Sequence, residues 1–270
     1  MFSFLLVVGI FVLAFACRTF AEPRLRRLGA VGLVVGSFLA GYFLVGIWLG
    51  VLAALVWFCL PWYEILTRIR HLRLPLDKRF REGRAPMAEI AEPLQHLSGE
   101  VEESHFRFVA DFGWDWQDMR HFFRIYYHSE KRMQATIAAL EQNGLTFLFL
   151  SVSNRTTDGQ VLRTWNYPFS YTLAHPPALK LQRATDIRTF EDLLLRHELH
   201  LSRNQVGDTK IREIDETQFR EEMEKEILQQ TDYNLQNGLI VKADETTFRY
   251  SWRGLVYLWR QFLIDLLKYS

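Results

Sequence analysis

The chain has 270 residues, 49% of them hydrophobic and 23% charged, with a formal net charge of +1. That length allows one or two domains. A near-neutral balance argues against a dedicated nucleic-acid binder, whose footprint is strongly basic, so no nucleic-acid partner is expected. The two cysteines, Cys17 and Cys59, sit in apolar runs, which leaves residues 64–270 without a disulfide or a Cys-based zinc site.

Met1 to Tyr63 is nearly all apolar, and the charge follows it. Phe2 to Cys17 carries no charge and as a helix spans roughly 24 Å, slightly short of a hydrocarbon core. A secretory signal would begin with a basic segment, and none is present, so a retained anchor is expected. Leu28 to Tyr63 also lacks charge. One helix of that length would run roughly 50 Å, and two spans of about 16 residues would be tight. Gly32 with Gly36, and Gly46 with Gly50, make small-xxx-small pairs that let helices approach. Two or three spans are predicted, near residues 2–17 and 29–62.

Arginines flank these runs: Arg18, Arg24, Arg26 and Arg27, then Arg68, Arg70, Arg73, Arg79, Arg81 and Arg84 with Lys78. Basic residues gather on the cytoplasmic side. Three spans, with the N-terminus outside, place both clusters inside, and two spans are the close alternative. The expected product is a multi-pass protein of the plasma (inner) membrane, with membrane lipids around it. Trp57, Trp62 and Tyr63 fit an aromatic belt, and Pro61 can kink or end the last helix. Residues 64–84 read as a basic juxtamembrane segment and 85–270 as a cytoplasmic α+β domain.

In that domain, residues 85–104 read as a helix, with Pro86 near its start and Pro93 as an interruption. Phe106, Phe108, Ala110 and Phe112 then alternate with polar neighbours, as one buried strand face does. Phe123, Ile125 and Tyr127 line one face of the next segment, and Phe122, Arg124, Tyr126 and His128 the other. Met133 to Leu140 is ambiguous between strand and helix. Leu145 to Val152 is apolar on both faces, as a central strand is. Asp158-Gly159 signals a hairpin before Val161, Trp165, Tyr167 and Phe169. These make an antiparallel sheet of four to six strands. A helix is expected through Phe190 to Leu201 and another over 216–237, with Gly238 as its stop. A hairpin over 239–252 and a last helix complete a C-terminal helix-hairpin-helix element. Leu255, Leu258, Trp259, Phe262, Leu266 and Leu267 form that helix's apolar stripe, with Lys268 off it; docking on the sheet is its expected fate, and lying in the headgroup plane is the alternative.

The tempting motif is HELH, His197 to His200. A zinc protease needs histidines at i and i+4, and here they stand at i and i+3. Both are expected to be partly exposed, and no metal or cofactor is assigned. Glycine-rich phosphate loops and nucleophile elbows do not occur in the sequence. The acids of the 216–226 helix, Glu221, Glu222, Glu224 and Glu226, read as a solvated face. Asn154-Arg155-Thr156 matches a glycosylation sequon, which a cytoplasmic domain would not use.

Phe106, Phe108, Phe112, Phe123, Tyr127, Phe147 and Phe149 are expected core. Trp114, Trp116, Arg124, Trp165, Asn166 and Tyr167 are left at strand ends or on mixed faces, as a candidate binding surface. The resulting expectation is a non-enzymatic binding or scaffold protein that presents an α+β domain at the membrane to an unidentified protein partner. The alternatives are a membrane-associated enzyme, metal-dependent through His197, Glu198 and His200, or a lipid-binding domain.

Overall fold

The structure, a computed structural model, describes residues 2–20, 22–82, 88–142, 144–168 and 172–269. Expectations for Arg84, Pro86 and Phe169, and for the side chains of Leu266, Leu267 and Lys268, fall outside the described residues.

The helices are α1 (Phe2–Thr19), α2 (Pro23–Leu44), α3 (Ile47–Thr67), α4 (Ala91–Glu103), α5 (Phe190–Arg203), α6 (Phe219–Gln236) and α7 (Trp252–Tyr269). The main strands are β1 (Arg81–Glu82), β2 (Arg107–Trp116), β3 (Met119–His128), β4 (Met133–Gln142) and β5 (Leu145–Arg155). They continue with β6 (Val161–Trp165), β7 (Leu179–Arg183), β8 (Ile240–Lys242) and β9 (Thr247–Tyr250). The fold is α+β. Contacts divide it into two compact units, one holding α1–α3, the β8–β9 hairpin and α7, the other holding the large sheet.

In the first unit, the stretches Arg24–Leu44 and Ile47–His71 are long and apolar enough to cross a membrane, and α1 is shorter. Pro23 opens α2, where its missing amide costs nothing. The long apolar run breaks at Val45 and Gly46, where Gly46 adopts φ +126°, a conformation glycine takes without strain. Gly46 is therefore a turn residue and not half of a packing pair. Its expected role passes to Gly41, where an added Cβ would lie 2.6 Å from the Leu49 carbonyl oxygen. At Gly50 the same atom would lie 2.8 Å from the Phe38 carbonyl oxygen. Gly29 and Gly32 approach Ala14 of α1, and Gly36 approaches Ile10 and Phe11, so α1 and α2 run antiparallel. Trp57 Nε1 donates to Ser37 Oγ at 2.8 Å, tying α3 to α2. The antiparallel order brings the ends bearing Arg18, Arg24 and Arg68 to one side.

Gly41→Leu is expected to cost roughly 1–3 kcal/mol by forcing α2 from α3. Gly9→Ala, with nothing within 4 Å, is expected to be neutral. Thermal midpoints of the two variants in detergent check this, and equal midpoints would discard the close approach.

The sheet of the second unit has seven strands in the order β1-β2-β3-β4-β5-β6-β7. Its pairs are antiparallel except β6 with β7, so the sheet is mixed and larger than the expected four to six antiparallel strands. Met133 to Gln142 is strand, because its small residues alternate between two covered faces. One face carries Phe106, Phe122, Tyr126, Ile137, Leu150 and Val152, and it packs with α4 and α5. The other carries Phe112, Trp114, Ile125 and Tyr127 and packs with Phe219 and Met223 of α6.

A bulge at Val109 shifts β2 against β3. It sends Phe106 to the first face and Phe112 to the second, whereas their spacing predicts one shared face. Phe108 consequently ends 51% exposed and is not core. Pro93 sits in the first turn of α4, where proline is tolerated, and does not interrupt the helix. The 161–169 strand ends at Trp165. Gly238 ends α6 with φ +65°, as its position predicts. The apolar stripe of α7 docks on α2 and α3 rather than on the sheet.

Candidate functional site

Strand pairing builds an aromatic row across the α6 face. Trp114 stands opposite His121, His121 opposite Leu140, and Leu140 opposite Phe147. Directly opposed residues share a face, so one line of large side chains crosses four strands. Trp114 and His121 stack with centroids 4.1 Å apart and planes 10° apart. Lys78 Nζ lies over the Trp114 ring, 4.9 Å from its centroid. Burial lowers Lys78 to about 8. The His121 ring falls to about 3, through burial first and Lys78 second, with Asp115 opposing.

A second aromatic group stands on the same face at β5 and β6. Phe149 meets Trp165 at 6.1 Å and Tyr167 at 4.9 Å, and the latter two rings lie 4.9 Å apart. Trp114 and Trp165 are on strands four places apart, roughly 19 Å at the spacing of a sheet. The intervening His121, Leu140, Phe147 and Phe149 are half-buried. They join the two ends into one apolar surface, so Phe147 and Phe149 are not the closed core they were expected to be.

The remaining candidates separate from this row. Arg124 projects from the opposite face and forms a two-point ion pair with Asp111, at 2.9 and 2.8 Å. Asn166 accepts the Leu150 amide through Oδ1 at 2.7 Å, which extends the β5–β6 pairing past the end of β6. Both side chains serve the fold. Trp114 is buried, and Trp116 packs against the cluster around it.

HELH is turned inward and not half-exposed. Thr189 caps α5 by accepting the Asp192 amide, and this phase points His197 and His200 at the sheet. His197 is fully buried. Its Nδ1 pairs with Thr164 Oγ1 and its Nε2 with Asn154 Oδ1, both at 2.9 Å. His200 Nδ1 lies 3.3 Å from the same Thr164 oxygen. Glu198 points away and pairs with Lys131 at 2.7 Å. Among the described residues, no group of three or more His, Cys, Asp or Glu is arranged to hold a metal ion. Asn154 is itself buried and bonded, donating to the Arg132 carbonyl, and this suits neither a sequon nor a ligand role.

Burial, aided by His200 and Arg163, lowers His197 to about 3, and burial with Arg163 lowers His175 to about 4. With His121, these are three groups whose folded values lie below the ordinary 6.5. The unfolded chain then binds more protons, so their contribution is complete above pH 6.5 and falls as the pH drops toward 4. Each is expected to cost about 1.4 kcal/mol per pH unit in that window. Urea unfolding at pH 7.5 and 5 should show the loss, with a smaller slope in His197→Gln. A flat profile would mean these rings are hydrated.

A charged cluster lies beneath α6, where the charge pattern of the helix predicts solvent. Arg155 is 2% exposed. It donates to Gln134 Oε1 at 2.7 Å and to Glu226, whose other oxygen takes Arg163 at 2.6 Å. Glu222 takes Arg212 at 2.7 Å. So Glu222 and Glu226 are not a solvated face. The signal was present: they recur at i+3 and i+7 from Phe219, in phase with Met223, while Arg155 follows Ser151 and Ser153 at the strand period. The cluster borders a cleft of about 190 Å³, lined by Arg155, Thr156, Gln160, Arg212, Glu222 and Lys225 among others.

No family model matches the chain, and neither does any curated protein or solved structure.

Proposed function

We propose that this chain is a multi-pass membrane protein whose sheet unit is a non-enzymatic binding module on the cytoplasmic side. The observation that carries the reading is the inside-out character of α1–α3. Gly29, Gly32, Gly36, Gly41 and Gly50 face neighbouring helices at close distance, while Phe4, Leu13, Leu44, Trp48, Leu52 and Leu60 face outward. Trp48 is 84% exposed. Water would penalise such a surface, and lipid would not. Three antiparallel spans put Arg18, Arg24, Arg26, Arg27, Arg68 and Arg70 at one end, the cytoplasmic end by the charge rule.

The binding surface is the row from His121 through Phe147 to Trp165 and Tyr167, with Trp114 buried behind its edge. Large half-buried rings on a rigid sheet suit an apolar or amphipathic partner. His197 and Glu226 are committed to holding the fold rather than to chemistry. Both ring nitrogens of His197 are occupied by hydrogen bonds, and both oxygens of Glu226 hold arginines.

Alkaline carbonate should leave the chain in the membrane, and a reporter after Ser270 should be found inside. Proteins and lipids that co-purify from native membranes should be lost in Trp165→Ala. Stoichiometric zinc or manganese that disappears in His197→Ala would instead support the enzyme reading.

A further inference from the structure

The first unit leaves one helix face with no counterpart in the chain. On α7, Gly254, Leu255 and Leu258 are buried, while Trp252, Arg253, Val256 and Arg260 are exposed. The exposed set falls at i, i+1, i+4 and i+8, a single stripe along the helix. Trp252 is 60% exposed and Val256 51%. The Arg70 guanidinium lies 4.8 Å from the Trp252 ring centroid and extends the stripe. Nearby acids are already engaged: Glu64 with Arg68, and Asp244 with Arg73. Among the described residues, none of Arg70, Arg253 and Arg260 has an ion pair.

This stripe is continuous with the base of the spanning helices. Trp259 stacks on Trp62 of α3 with centroids 6.0 Å apart. Its Nε1 donates to the Phe58 carbonyl oxygen at 2.8 Å. That carbonyl is next to Trp57, whose own carbonyl loses its helical donor at Pro61. The bond holds α7 at one depth along α3, beside exposed Tyr63 and the arginines that follow.

We propose that the exposed stripe of α7, with Arg70, lies in the headgroup layer of the cytoplasmic leaflet and binds anionic lipid. Trp252 and Val256 enter the acyl boundary, and the three guanidinium groups meet lipid phosphates above it. The inference rests on the membrane reading of α1–α3, so the experiment separates the two.

The full chain, with Cys17→Ala and Cys59→Ala, is labelled with a bimane fluorophore at Val256→Cys or, separately, at Leu52→Cys. Each sample is placed in nanodiscs of phosphatidylcholine alone or mixed with phosphatidylglycerol. A lipid-borne spin quencher competes with aqueous iodide. The expected result is lipid quenching at both positions, with iodide excluded. At position 256 the lipid signal should strengthen with phosphatidylglycerol. It should weaken in Arg253→Gln with Arg260→Gln, because each basic residue at an anionic surface contributes roughly fivefold to partition.

Iodide quenching at 256, with lipid quenching at 52, overturns this inference and leaves the membrane reading intact. Lipid quenching at 256 that ignores both phosphatidylglycerol and the arginine changes overturns the anionic-lipid assignment. Failure of lipid quenching at 52 overturns the membrane reading and this inference with it.

Discussion

Glu226→Ala is expected to cost the sheet unit about 3–5 kcal/mol, the penalty for stranding a buried charge. Arg155 would keep Gln134 and the more distant Glu222 carboxylate at 3.8 Å but lose its closest one, and Arg163 would lose its 2.6 Å partner. Glu226→Gln keeps the volume and one acceptor, so its loss should be smaller. Urea unfolding followed by far-UV circular dichroism measures both. A loss under about 1 kcal/mol, the scale of a surface pair, would return Glu226 to the solvated face that its charge pattern first suggests. The same group has a pH signature. Burial pushes the Glu226 carboxyl up, but Arg163 and Arg155 outweigh it and hold the group below its ordinary 4.5. The stabilisation is therefore complete above pH 4.5 and lost as the pH falls through the lower folded value.

Gly254→Ala should be the most damaging change in the first unit, at about 3 kcal/mol from overpacking. A Cβ at Gly254 would lie 1.9 Å from the Leu239 carbonyl oxygen and 2.9 Å from its carbon. Neither atom can swing aside as a side chain end would. That oxygen accepts the Ser251 amide at 3.0 Å and the Ser251 hydroxyl at 3.1 Å. Ser251 Oγ in turn accepts the Gly254 amide at 3.0 Å, capping α7. Moving the hairpin away from α7 therefore breaks the cap as well. The near-ultraviolet signal of the Trp62–Trp259 pair should collapse while the sheet unit keeps its midpoint. An unchanged tryptophan signal would show that hairpin and helix have room to spare.

The sequence reveals most where a residue's local chemistry settles its conformation. Gly238 ends α6 because only a residue tolerant of φ +65° fits there, and Asp158-Gly159 turns the chain between β5 and β6 as its type requires. The hairpin before α7 is legible from alternation for the same reason. Where two partners decide together, the reading fails. Val109 looks like any strand residue, and only its register against β3 makes it a bulge that reassigns Phe106 and Phe112 to opposite faces. The segment 179–183 carries no turn signal toward β6, because a parallel pair is joined by a long connection and not by a local turn. In the candidate site, Trp114, Trp165 and Tyr167 lie on one face of the sheet. Arg124 and Asn166 do not, because Asp111 and Leu150 claim them across strands, a contact that spacing alone does not show.

The Trp259–Phe58 bond joins residues that leave the ribosome far apart in time. Between Thr67 and Trp252 the whole seven-stranded unit is made, which takes roughly 10–40 s at ~5–20 residues per second. Throughout that interval α3 stands without its last neighbour, and the Phe58 carbonyl oxygen lacks the indole donor that it later accepts. Synthesis thus builds the first unit in two instalments, with the sheet made between them. Its completion reports that translation has reached α7, which makes the indole of Trp259 a natural probe of when this protein finishes assembling.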